Sequence, residues 1–169
     1  TPEALRLNPN VKDPLPYYML MLEDVRRRAH EFDILHFHID TVHFPVFSHI
    51  AARTLTTTHG RLDLPDIAPL FAGFPHMPLN SISEAQQRPV PDANFLANIH
   101  HGLPVDLHRP QLEARPESYL AFVGRMSEEK RPDVAIAIAR AAGRKLKMAA
   151  KIDRVDEAYF RSVVAPLLT

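Results

Sequence analysis

Four side chains able to do chemistry crowd into one short stretch. ILHFHIDTVHF, Ile34–Phe44, holds His36, His38, Asp40 and His43. Imidazole and carboxylate groups bind transition metals and move protons near neutral pH. On a strand, residues two apart share a face, so His36, His38 and Asp40 would point together. That pattern admits two chemistries. One is a metal-dependent hydrolase using His36 and His38, which needs more ligands from later strand ends and an open position for water. His59, His100 and His101 are available for that on paper. The other is a strand running into the wall of a polar cleft, with His36 bonded to a neighbour inside and His38 and Asp40 shaping the mouth. The second is the better reading of the residues alone.

A second group lies in GRMSEEKRPD, Gly124–Asp133. Arg125 leaves a predicted strand, and Lys130 comes five residues later, where a helix is expected to begin. A helix start offers unpaired N–H groups and a partial positive charge, both favourable to an anion. Arg125 brings a planar fork for phosphate oxygens and Lys130 a point charge, a clamp for a diphosphate that uses no metal. On spacing alone, an ordinary solvated basic loop explains the same residues and is the simpler account.

Both groups need strand ends to position them, and the periodicity supplies strands alternating with helices. A helical pattern opens at Pro14 with Leu15, Met19, Leu22, Val25 and Ala29 at three- and four-residue steps. It ends in Arg26, Arg27, Arg28 and His30, read as a solvated last turn. Strands are predicted at Ile34–Ile39, Leu55–Thr58, Leu79–Ser83 and Phe95–His100. Helices are predicted at 46–53, 66–71 and 84–88. After the proline-rich stretch Leu103–Ser118 the pattern restarts. It continues with a strand at Tyr119–Val123 and a helix at Pro132–Ala142, with Val134, Ile138 and Ala141 on one face. A strand at Leu146–Ile152 and a helix at Val155–Leu168 capped by Asp153 complete it. Alternation of this kind predicts βαβ units on parallel sheets, whose ligands sit beyond the C-terminal strand ends. Those ends are His38–His43, His59-Gly60-Arg61, Ser81–Glu84 and Gly124–Lys130. The expected division is residues 1–108, a linker at 109–118, and residues 119–169. Phe71 with Phe74 and Met19 with Met21 read as core rather than ligand cages, and His49 and His76 as surface or loop residues.

Composition narrows the function classes. The 169 residues are 46% hydrophobic, enough to build a core. Twenty basic and twenty acidic residues cancel, so no charge excess points to nucleic acid. The chain has no cysteine, which removes disulfides and thiol catalysis and fits a reducing, cytoplasmic setting. No apolar run reaches the roughly 18 residues of a membrane span.

Read together, the motifs resemble a family. FDILHFHID, TTTHGRLDLP, PLNSISEAQQRP, NIHHGLPVDLH and YLAFVGRMSEEKRPD follow one another in the order found in family-4 glycosyltransferases. The resemblance runs from about Tyr17 onward. It implies an α/β fold of GT-B type with two Rossmann-like domains, both incomplete in this chain. Residues 1–108 would be the later part of the acceptor-side domain, and residues 119–169 the start of the nucleotide-sugar domain. It implies transfer of a sugar from a nucleotide diphosphate to an acceptor hydroxyl with retention. No metal or other cofactor is implied. Gly124, Arg125 and Lys130 would hold the donor diphosphate, and His59 would face the reacting sugar. Gly60 would let the chain turn closely behind it, while His38, Asp40 and Arg61 would line the acceptor side of a cleft that closes near Asp106 and Leu107. The implied partners are a nucleotide-sugar and a sugar, lipid-linked or small-molecule hydroxyl, with peripheral membrane contact compatible. The chain departs from the family at Arg131, where a glycine is common. The glycine-rich loop expected before Thr1 and the paired glutamates expected after Thr169 have no counterpart, so an inactive fragment is expected. A truncated, non-catalytic product is compatible with the same resemblance. Open strand edges predict self-association.

Overall fold

The structure, a computed structural model, describes residues 5, 8, 10–109, 113 and 118–168. The chain forms two compact units, Thr1–Pro104 and Val105–Thr169. Most of the predicted linker at 109–118 lies outside the described residues, as does much of the loop expected at 1–13.

The first unit is an α/β layer on a four-stranded, all-parallel sheet in the order β1-β2-β3-β4. The strands are β1 (Leu35–Phe37), β2 (Thr54–Thr57), β3 (Leu79–Ser81) and β4 (Phe95–Asn98). Helix α1 (Leu15–Arg28) precedes β1. The crossovers run through α2 (Phe44–Phe47) with a 3₁₀ segment Ser48–Arg53, then α3 (Ile67–Gly73), then α4 (Glu84–Gln87). Sequential order is the simplest outcome when every crossover is short. Pro14 starts α1, and the Leu15 N–H donates to Asp13 Oδ1 at 2.9 Å. At the other end, Arg53 donates to the Ala29 carbonyl at 3.1 Å and to the Phe32 carbonyl, tying the helix exit to the start of β2. The basic run is solvated as read: Glu23 accepts from Arg26 at 2.7 Å and Arg27 at 2.9 Å, and Arg28 pairs with Glu31.

Two apolar clusters hold this unit. Leu22, Leu35, Phe37 and Phe47 form one; Phe44, Phe71, Met77 and Leu79, with Phe74 against them, form part of the other. Phe71 and Phe74 are therefore core, as expected. Met19 and Met21 are not: they are 63% and 40% exposed, because the inward stripe of α1 runs through Leu22, Val25 and Ala29. Leu15, expected on that stripe, is exposed too.

The second unit is a parallel pair, β5 (Leu120–Arg125) and β6 (Leu146–Lys151), joined through α5 (Pro132–Ala141). The helix buries Pro132, Ile136 and Ala139 rather than the expected Val134–Ile138–Ala141 face, since Val134 and Ile138 are exposed. Ile136 packs with Met126 and Val164, and Met148, Tyr159 and Phe160 close over them. The predicted last helix is broken into a 3₁₀ turn at Arg154–Asp156, one α-turn α6 (Glu157–Tyr159), a π-turn at Phe160–Val164 and a 3₁₀ turn at Ala165–Leu167. Two causes are visible: the Ser162 hydroxyl donates back to the Ala158 carbonyl at 2.8 Å, and Pro166 has no N–H to give the last turn. Asp153 supplies no side-chain cap and pairs instead with Lys151. Among the described residues, no helix is long and apolar enough to cross a membrane.

Candidate functional site

In the first unit, β1 and β2 run parallel with His36 opposite Leu55, so the chain beyond each strand emerges on the same side. His38 follows β1 and His59 follows β2. Their rings meet: His38 Nδ1 lies 2.8 Å from His59 Nε2, a hydrogen bond in which one nitrogen carries the proton. His101, from the NIHHG segment after β4, stacks parallel on His59 at 5.1 Å. His36 tilts against His38 at 4.3 Å and bonds Thr57 Oγ1 at 2.8 Å, the expected neighbour bond, but it is exposed rather than interior because it alternates with the buried Leu35 and Phe37.

Burial lowers the His59 pKa, and the nearby His38 and His101 lower it further against an upward pull from Asp40. Burial also lowers that of His36, with His38 and His59 adding to it. The balance of these effects favours the neutral His59 imidazole, which offers one donor and one acceptor.

The predicted neighbours are placed unequally. Asp40 stands in the left-handed region (φ 54°), which Asp tolerates better than most residues, and its Oδ1 lies beside Gly60. Gly60 does not need to be glycine for the turn: its φ is not positive, and an added Cβ would sit 3.9 Å from Asp40 Oδ1, an ordinary contact. Arg61 forms a two-pronged pair with Asp63 at 2.8 Å.

One residue that sequence reasoning missed holds the Thr-His-Gly turn in place. Gln86, on α4, donates to the carbonyls of Thr58 (3.2 Å) and Gly60 (2.7 Å) and accepts from the Thr58 hydroxyl (3.1 Å) and the Ile82 N–H (3.0 Å). Four hydrogen bonds from one carboxamide bracket His59 on both sides. The only signal in the sequence was Ser83, which caps α4 by accepting from the Gln86 N–H and so sets that residue's position.

His43 plays a different part. It is fully buried, stacks on Phe37 at 3.9 Å, and bonds Thr56 Oγ1 at 2.8 Å; burial pulls its pKa down to about 4. Among the described residues, no three His, Asp or Glu side chains are placed to share a metal ion. His36 is turned to Thr57, His43 to Thr56, and His100 donates to the Ile82 carbonyl. His49 and His76 are exposed.

In the second unit, Gly124 and Arg125 are the last residues of β5 rather than the loop after it. The Met126 N–H donates to the Lys151 carbonyl, holding the exit of β5 beside that of β6. A 3₁₀ turn, Glu128–Lys130, then leads to Arg131 at φ 53° and to α5. Arg131 therefore occupies a backbone conformation that favours glycine, the residue the resemblance leads one to expect there. Its guanidinium is turned to Asp133 at 2.8 Å; Asp133 also accepts from Tyr159 Oη at 2.8 Å, and the two contacts hold its pKa down at about 2.

Arg125 and Lys130 do converge, and on the same atom. Glu129 Oε1 lies 2.6 Å from Arg125 Nη2 and 3.6 Å from Lys130 Nζ. On its other edge, Arg125 faces Asp156 at 3.6 Å and Asp153 at 4.0 Å. Beside it, Ser127 is buried with no hydrogen-bond partner for its hydroxyl. Neither protein-family models nor curated proteins match this chain, so the residues themselves carry the functional argument.

Proposed function

We propose that the chain carries donor-diphosphate and sugar-facing residues of a retaining glycosyltransferase of the GT-B, family-4 kind. The observation that carries this reading is the convergence of Arg125 and Lys130 on one anionic oxygen at the C-terminal end of a parallel strand. That is where open parallel sheets bind ligands, and two cations around one oxygen are what a departing diphosphate requires.

In this reading the bond from the anomeric carbon to the diphosphate oxygen breaks. The acceptor oxygen bonds on the same face, and its proton passes to the released diphosphate. Negative charge grows on the leaving group as the bond stretches, and Arg125 and Lys130 meet that charge directly. His59, bracketed by Gln86 and bonded to His38, would give or take one hydrogen bond with a sugar hydroxyl. His38 and Asp40 belong to the acceptor side.

The reading is tested by titrating the chain with UDP, GDP and ADP. Arg125→Ala and Lys130→Ala should each weaken nucleoside diphosphate binding by roughly tenfold or more, the worth of one well-placed charge contact. Arg161→Ala, which removes a cation paired with Glu157 on another element, should leave binding unchanged. Equal binding by all of these chains would remove the clamp from the site.

A further inference from the structure

Glu129 lies between the two cations of the proposed clamp. One of its carboxylate oxygens bridges a guanidinium and an ammonium, at 2.6 Å and 3.6 Å. The bridge is not deeply buried: the Glu129 side chain is 34% exposed and that of Arg125 40%, so an anion in solution has access to it. The two edges of Arg125 are used differently. Asp153 and Asp156 hold Nη1, while Glu129 takes Nη2, the edge shared with Lys130. Lys151 in turn pairs with Asp153. The cluster thus sets Arg125, Lys130 and Lys151 against Glu129, Asp153 and Asp156, and its formal charges cancel. An approaching polyanion meets no net attraction until one carboxylate leaves, and Glu129 is the one on the solvent-accessible bridge.

We infer that Glu129 is an internal competitor for the anion site at Arg125 and Lys130, so that a diphosphate binds by displacing the Glu129 carboxylate from both cations. This rests on the reading of those two residues as a diphosphate clamp. An anion of single charge gains from the cations little more than the carboxylate it must displace. A diphosphate brings several charged oxygens and can outbid one carboxylate at both positions. Glu129 therefore keeps simple anions off the site and reserves it for ligands with two linked phosphoryl groups.

The probe is inorganic pyrophosphate, titrated calorimetrically at fixed ionic strength into the full chain and into Glu129→Gln, Glu129→Ala and Glu128→Gln. Glutamine keeps the size of Glu129 and removes its charge; alanine also removes the hydrogen bond to Arg125. Among the described residues the ion partners of Arg125 are Glu129, Asp153 and Asp156, so Glu128→Gln controls for net charge. Both Glu129 variants should bind pyrophosphate about tenfold more tightly than the wild type, the effect of removing one nearby exposed charge, with Glu128→Gln within about twofold. If all four chains bind alike, or the Glu129 variants bind more weakly, Glu129 positions Arg125 instead of competing, and the inference falls while the clamp stands. If no chain binds pyrophosphate, the clamp reading falls and the inference with it.

Discussion

His38 and His43 are five residues apart and do opposite work. His38 ends at the mouth of the sheet, bonded to His59 across 2.8 Å. His43 lies inside, stacked on Phe37 and bonded to Thr56, where a charged ring would have nothing to solvate it. This burial has a consequence for stability against pH. The folded chain holds the His43 pKa at about 4, below the 6.5 of an unperturbed imidazole. Between those values the unfolded state binds the extra proton, so stability is fully present above pH 6.5 and falls as pH drops toward 4. At pH 5 the loss should be about 2 kcal/mol relative to pH 7, from this group alone. Urea unfolding at the two pH values measures it, and His43→Gln, which cannot titrate, should flatten most of the difference. An equally steep dependence in that variant would mean that His43 is not the cause.

At the scale of elements, the turn Glu128–Lys130 and the residue after it decide how α5 meets β5. Arg131 is held at φ 53°, a conformation that costs a side-chain-bearing residue about 1 kcal/mol. Its exposed pair with Asp133 recovers at most a similar amount. Arg131→Gly should therefore leave the stability of the chain within roughly 0.5 kcal/mol or raise it slightly, whereas Arg131→Val should lower it by about 1–2 kcal/mol, because a branched Cβ fits this region worst. Chemical denaturation of the three chains separates these outcomes. The same element explains why the buried face of α5 differs from the expected one. Pro132 enters the core directly after the left-handed residue, and that sets the helix phase so that Ile136 and Ala139 follow it inward. Periodicity shows that a helix is amphipathic; which of two comparably apolar stripes turns inward depends on the entry angle.

At the scale of the whole molecule, open sheet margins are the main feature. β1 and β4 bound the four-stranded sheet, and β5 and β6 are each other's only strand neighbours among the described residues. Val123 is 82% exposed in the middle of β5, and Leu96 is 65% exposed in β4. Parallel strands usually have both faces covered, so these surfaces favour association. Sedimentation velocity should show a weight-average mass that rises with concentration, and Val123→Lys with Leu96→Lys should reduce it; a single monomer at all concentrations would contradict this. Much of this architecture was legible in the chain. The alternation of strands and helices follows from apolar spacing, proline placement and β-branched runs, which act locally and survive translation from sequence to structure. The sequence also determined which side chains could do chemistry, because histidines just past strand ends and an arginine at the end of β5 follow from local pattern. What only the tertiary structure decided was which of them meet. His101 reaches His59 from a strand two places away in the sheet, and Gln86 brackets the turn from α4. Such contacts depend on crossover lengths, helix phase and rotamers, which no local pattern of residues encodes.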